Sequence, residues 1–316
     1  ELGTIKMSTN KLVTNILPPT KSYVEANVSA LSTAEVSALS TAEDSDNETT
    51  IPQKSIQIPD AVKRWAVRGF AICLAIAFWH YLTETDFNRV LNFENVPEPW
   101  RVAVNFIQHA QTVDFYLHIL VSMKRILIGY VAATVLGIIV GLLMGRFRTA
   151  EDICIPYIEV LRPIPAVAWI PLAILIWPTE ESSIIFITFL GAFFPIVLNT
   201  VQGVEATPEI LVRAARSLGA TNVEIFWHVV FPAALPSIAS GLAIGMGVSW
   251  FSLLAGEIIS GQYGIGYFTW NAYSLIKYTD IVVGMLIIGG LGTFSTYLIR
   301  LLTRPMMRWQ ALEAGR

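Results

Sequence analysis

The chain has 316 residues, 54% hydrophobic and 14% charged, with a mean hydropathy of +0.57. A soluble domain carries more charge and less apolar mass, so the composition points to an integral membrane protein. A net charge of −3 makes no case for a nucleic-acid partner, and two cysteines, Cys73 and Cys154, far apart and without metal-ligating neighbours, make no disulfide framework.

Residues 1–60 are rich in Ser, Thr, Ala, Glu and Asn, and the octapeptide VSALSTAE at 28–35 is repeated at 36–43. Such a segment has little apolar area to offset the entropy of ordering, so a disordered cytoplasmic tail is expected. Residues 61–118 then hold a first span and an external linker, and 119–310 hold the main transmembrane domain. Six apolar stretches approach the ~20 residues that cross a bilayer, near 65–82, 119–145, 155–177, 183–203, 234–256 and 280–302. The expected fold is therefore all-α, a polytopic helical bundle of about six spans. The third stretch carries Pro156, Pro163, Pro165 and Pro171, so it must be bent or broken. Gly137, Gly141 and Gly145 recur every four residues on one face of the second stretch, and Gly241 and Gly245 do so in the fifth. Small residues at this spacing let helices approach closely in lipid.

Orientation follows from basic residues. Lys63, Arg64 and Arg68, then Arg146 and Arg148, then Arg213 and Arg216, then Arg300, Arg304 and Arg308 fall on one side if both termini are cytoplasmic. Arg89, Arg101 and Lys277 are exceptions, and Lys124 and Arg125, at the start of the second stretch, count for neither side.

Between the fourth and fifth stretches lies a polar island, residues 204–233, containing RAARSLGATNVEIFWHVVFP. Thr207-Pro208-Glu209 reads as a helix start, with a hydroxyl N-cap, proline at the first helical position and an acid in the first turn. Gly219 reads as a left-handed stop. Thr221 and Glu224 form a capping box for a second short helix, which Pro232 should end. The island can be an interfacial helix lying on headgroups or a docking knob for a cytoplasmic partner. A DNA-binding helix–turn–helix is disfavoured by the flanking spans and the few basic residues.

The four histidines are scattered, and neither HExxH nor GxSxG occurs, so no catalytic constellation supports a membrane-embedded enzyme. GxxxxGK[ST] is absent too, so energy from ATP would have to arrive through a partner. A secondary carrier would need repeats and ion-coupling carboxylates in mid-span, and the sequence shows no convincing repeat and almost no such carboxylates.

The island's residues resemble the loop signature of binding-protein-dependent ABC importer permeases: Glu-Ala-Ala, three residues, Gly, nine residues, Ile-x-Leu-Pro. Here Arg213-Ala214-Ala215, Gly219 and Val229-Val230-Phe231-Pro232 keep the spacing, with Arg213 in place of Glu and Val229 and Phe231 in place of Ile and Leu. SMKR at 122–125, LRPIPAVAWIPL at 161–172 and AGEIISGQYGIGYF at 255–268 are similar to blocks of the nitrate, sulfonate, taurine and bicarbonate branch. The resemblance covers roughly 100–310 and implies a type I importer permease fold, with a five-helix core plus an N-terminal span. It implies a multi-pass subunit of the bacterial inner membrane that is not itself catalytic and carries a small anion. Its partners would be a second permease copy, an extracytoplasmic binding protein, and ATPase subunits that hold the ATP and magnesium. The coupling residues it implies are Arg213, Ala214, Ala215, Gly219, Glu224, Phe231 and Pro232.

Ionisable and polar groups within spans suggest the translocation path. Arg162, beside two prolines, could attract an anion or snorkel to the headgroups. Glu257 would repel an anion, so structural pairing or an outer gate suits it better than cargo contact. Trp169, Ser249, Trp250 and Ser252 are candidates for an aromatic and polar lining, though each is also an ordinary packing residue.

Overall fold

The computed structural model describes residues 60–84 and 95–307, and the tail before residue 60, with its repeat, lies outside them. The chain divides into Glu1–Ala66 and Val67–Arg316, and the second unit holds the helical domain. Among the described residues there are helices and no strands. They are α1 (Asp60–Glu84), α2 (Pro99–His109), α3 (Val113–Arg146), α4 (Arg148–Leu161), a 3-10 turn (Ala166–Trp169), α5 (Ile170–Ile176) and α6 (Glu180–Glu205). After the island's α7 (Glu209–Ser217) and α8 (Asn222–Ile225) come a π-turn (Phe226–Val230), α9 (Phe231–Ser260), α10 (Ile265–Ser274) and α11 (Tyr278–Thr303). Among the described residues five helices are long and apolar enough to cross a membrane, and six spans result if the bent pair α4 and Ala166–Ile176 counts as one.

The third stretch breaks where its prolines stand: α4 and the following helical segment meet at 89°. Pro163 and Pro165 cannot supply backbone N–H groups, and although Arg162 before Pro163 is still helical at φ −57 and ψ −42, the chain turns extended at Pro165, at φ −56 and ψ 139. The apolar run 155–177 is therefore two short limbs rather than one straight rod.

The core is a three-layer stack with α6 between α3 and α9. A Cβ on Gly137, Gly141 or Gly145 of α3 would stand 2.9, 2.5 and 2.6 Å from Ile196, Thr200 and Val204 of α6. These partners also recur every four residues, so two straight ridges mesh along the contact. On the other side of α6, Gly241 and Gly245 of α9 face Asn199 and Ile196, and Gly203 of α6 faces Ser237. The glycine rows read from the sequence are thus the seam of the bundle. By contrast α1 exposes most of its apolar side chains, and only Trp79 joins a cluster, the one around Val102 and Val283.

Three local expectations need correction. Pro232 does not end the island's second helix. The chain runs on from α8 into α9, and Asn222–Ile259 is one continuous span. Pro232 has no N–H to give and its ring would strike the preceding turn, so the backbone widens into a π-turn, with Phe231 N–H bonded to the Phe226 carbonyl. Pro208 is the N-cap of α7 rather than its first helical residue, and the buried Thr207 hydroxyl has no hydrogen-bond partner among the described residues instead of capping. Finally, α2 falls in the stretch read as an external linker, and α10 lies between the fifth and sixth apolar stretches, where no helix was expected. Val102 of α2 and Ile265 and Ala272 of α10 are buried, and short helices of this kind are held by tertiary packing rather than by propensity.

Candidate functional site: island, cleft and buried clamp

The island closes as its sequence dictates. At the end of α7, Gly219 has φ +86, its N–H bonds the Arg216 carbonyl at 3.0 Å, and the Ala220 N–H bonds the Ala215 carbonyl at 3.1 Å. This is a Schellman turn, and the left-handed position is one that glycine fills without strain. Thr221 and Glu224 then form the capping box, each side chain bonded to the other's backbone N–H. Two caps back to back fix the angle between α7 and α8.

The island's inner face is fastened to the bundle. Val212, Ala215, Ala220 and Phe231 pack on a buried cluster of Val204 from α6 and Ile225, Val230, Ala234 and Ile238 from α8 to α9. Phe231 and Pro232 are half-buried, so they anchor the island rather than face outward. The outer face keeps large apolar groups in the open: Leu218 is 89% exposed, Ile210 70% and Val223 67%. Arg213, also exposed, pairs with Glu209 at 2.6 Å, and Ala214 and Glu224 are exposed beside it.

The structure joins some of the candidate path residues and separates others. Arg162 caps α4 at the break and is exposed, so it lies at a bend and not well inside a span. With Trp169, Asn199 and Gln202 it lines a cleft of about 410 Å³ between the bent limb, α6 and α9. Ser249, Trp250 and Ser252 do not line this cleft. Ser249 donates to the Thr188 carbonyl at 3.3 Å, and Ser252 stands against Gly191, so both are sealed between α9 and α6. Trp250 is buried in the cluster of Ile126, Tyr130 and Ile196.

Glu257 belongs to a different device, at the end of the bundle away from the island. It is 1% exposed. Its carboxylate accepts from Ser122 Oγ at 2.7 and 2.9 Å, from Arg125 Nη1 at 3.0 Å and from the Gly266 N–H at 2.9 Å. Arg125 also donates to Glu181 at 2.7 and 2.8 Å and to the Tyr263 carbonyl at 2.6 Å. One guanidinium thus ties α3, α6, α9 and the loop before α10. A Cβ on Gly264, whose φ is +126, would collide with the Glu257 carboxylate, so the loop can close only over a glycine. Structural pairing is what the geometry gives Glu257. The sequence left Arg125 aside as a flanking charge because α3 starts earlier than the apolar stretch suggests. The run VDFYLHIL at 113–120 already extends the helix, which places Arg125 inside it.

Residues 133–308 match the family model described as "Binding-protein-dependent transport system inner membrane component". The chain is 34% identical to the taurine transport system permease protein TauC of Escherichia coli over 68% of this chain and 80% of that one. It is 37% identical to the nitrate import permease protein NrtB of a Synechocystis strain over 56% of this chain and 64% of that one. It is 36% identical to the bicarbonate transport system permease protein CmpB of Synechococcus elongatus over 59% and 68% of the two chains. With helices that cross the membrane, a glycine seam and the capped island in place, the chain belongs to the family of binding-protein-dependent transport system inner membrane components.

Proposed function

We propose that the chain is the membrane-crossing subunit of an ATP-driven importer for a small oxoanion, and that its island is the handle on which ATPase subunits act. The observation that carries this reading is the outer face of the island. A leucine 89% exposed beside other open apolar groups, on a turn fixed by two caps, is a surface built for a partner. Its root in α6 and α9 would pass a displacement into the core. The basic loops gather at this end, which supports a cytoplasmic island and cytoplasmic termini.

Nitrate, bicarbonate and the sulfonate group of taurine, named for the relatives above, are all small oxoanions, and this supports the cargo class. The cleft holding Arg162 suits it, and a second copy of the chain would complete the path. ATP and magnesium would sit on the partner subunits, with no catalysis by this chain. ATP drives the cycle only if it binds the complex more tightly in one of two permease states, since equal affinity shifts nothing. The alternative, a carrier driven by an ion gradient, needs a mid-span carboxylate open to its ion. Glu257 is already committed to Arg125, Ser122 and Gly266.

The test is uptake of nitrate, bicarbonate and taurine into vesicles holding the chain, its ATPase and its binding protein. Arg162→Gln should lower uptake of the transported anion by about tenfold, the scale of one hydrogen bond to a charged group, while basal ATP hydrolysis persists. Arg162→Lys should recover part of the loss if charge alone matters, and less if two parallel bonds are needed. Unaltered uptake with Gln would remove Arg162 from the path.

A further inference from the structure

At the island's end of the bundle, a groove of about 240 Å³ lies between α3, α9 and the end of α11. Its walls include Ile138, Leu235, Ile238, Leu242, Met306 and Met307. The one polar side chain on them, Thr303, is bonded within its own helix, donating to the Ile299 carbonyl at 2.9 Å and lying 3.3 Å from the Arg300 carbonyl. Water in this groove would lack the two to four polar partners it needs, so the groove is a seat for hydrocarbon. On α9 the lining runs from Phe231 to Leu242, about 16 Å along the axis, so the seat follows the helix as an acyl chain would.

The charge beside this seat has one sign. Arg300 and Arg304 are exposed, and neither has an acidic partner among the described residues. They stand four residues apart on one helix face, where like charges destabilise unless an anion lies between them. Arg300 is three residues before Thr303, and Arg304 opens the turn that carries Met306 and Met307, so the pair flanks the α11 wall of the groove. α11 has 26 residues, about 39 Å, so its last turn reaches the headgroup layer when its middle crosses the hydrocarbon. Basic residues at the end of a span set orientation in any membrane protein. What singles out this pair is the dry groove beside it. A soluble anion has no use for the groove, and a neutral lipid brings no net charge to the arginines. An anionic phospholipid satisfies both, with one chain in the groove and its phosphate on the guanidinium groups.

We propose that the groove and the Arg300–Arg304 pair form a binding site for one anionic phospholipid. The site does not depend on which cargo the chain carries. Ile138, Phe231, Ile238 and Leu242 line the groove and also belong to the cluster that fastens the island to the bundle. A chain seated there packs against the root of the island and completes its support.

The experiment is native mass spectrometry of the full-length chain released from detergent, with dioleoylphosphatidylglycerol or dioleoylphosphatidylcholine added in steps and the bound lipids counted. The parent should take up one phosphatidylglycerol at concentrations where it binds no phosphatidylcholine. Arg300→Gln with Arg304→Gln, both on the surface, should weaken that first phosphatidylglycerol about tenfold or more, the scale of two basic contacts with an anionic headgroup. Ala239→Leu, which fills the groove from α9, should weaken it by a similar factor with both arginines in place. Glycerol 3-phosphate, which has the phosphate and no chains, should not displace the lipid. Equal binding of the two lipids by the parent overturns the proposal, as does unchanged affinity in either variant or displacement by glycerol 3-phosphate. Separation of permease copies by Ala239→Leu would make the groove a contact between copies, and tighter lipid binding after removal of residues 309–316 would give it to the chain's own end. Either result overturns the proposal too.

Discussion

Arg125→Met should destabilise the folded protein by about 3–5 kcal/mol, because it leaves the Glu257 carboxylate buried without its counter-charge. The surroundings cannot rescue it, since Glu257 is 1% exposed and keeps only Ser122 and the Gly266 N–H. The loop at Tyr263 also loses its tie to α3. Arg125→Met combined with Glu257→Met should recover at least half of the loss, since replacing a buried pair with apolar groups of similar volume is often neutral. Arg125→Lys should fall between Arg and Met, because its ammonium keeps a counter-charge for Glu257 but cannot span Glu181, Glu257 and the Tyr263 carbonyl as the planar fork does. Denaturant unfolding in mixed micelles, run on all four proteins, checks this. A single variant as stable as the parent would mean that the clamp contributes nothing.

Gly141→Leu should cost about 3 kcal/mol and lower the yield of folded protein, through helix separation rather than loss of a contact. A Cβ at 141 would lie 2.5 Å from Thr200 Cβ and 2.8 Å from the Val197 carbonyl oxygen. Backbone is on one side and a β-branched side chain on the other, so no flexible end can move away. α3 and α6 would have to part along the seam that organises the bundle. Gly69→Ala is the control, since nothing lies within 4 Å of a Cβ there. It should be neutral or gain a little from better helix propensity. Thermal unfolding followed by circular dichroism separates the two, and equal midpoints for both variants would remove the seam from the account.

The features legible in the sequence are those set by local chemistry. Gly219 announced its left-handed turn, Thr221 and Glu224 their capping box, and the glycine rows their seam, because each depends on residues a few positions apart. Four prolines in 156–171 announced the break, though not its angle. Features that depend on distant partners were hidden. Arg125 and Glu257 lie on different helices, and neither shows in the sequence that the other neutralises it. Pro232 misled because a proline in a helical pattern is read as a stop. Whether the chain stops or widens into a π-turn depends on the packing of Val230 and Ala234 below it. α2 was missed because an 11-residue helix is held by what it packs against, here α11 through Asn105, His109 and Asp280.

The central claim, that ATP drives this chain through its island, is tested most directly by ATP-dependent anion uptake in reconstituted vesicles, comparing the parent with Gly219→Val. Nothing lies within 4 Å of a Cβ at 219, so this substitution adds no clash. It acts through the backbone, since a β-branched residue resists the φ of +86 that sets the angle between α7 and α8. The expected result is that parent vesicles accumulate the anion only when ATP and the ATPase subunits are present. The valine variant should fold and insert normally but lose about nine-tenths of that uptake or more, and Gly219→Asn, which tolerates the left-handed region, should retain most of it. Uptake by the valine variant equal to the parent's, or uptake by the parent without ATPase subunits, would contradict the claim.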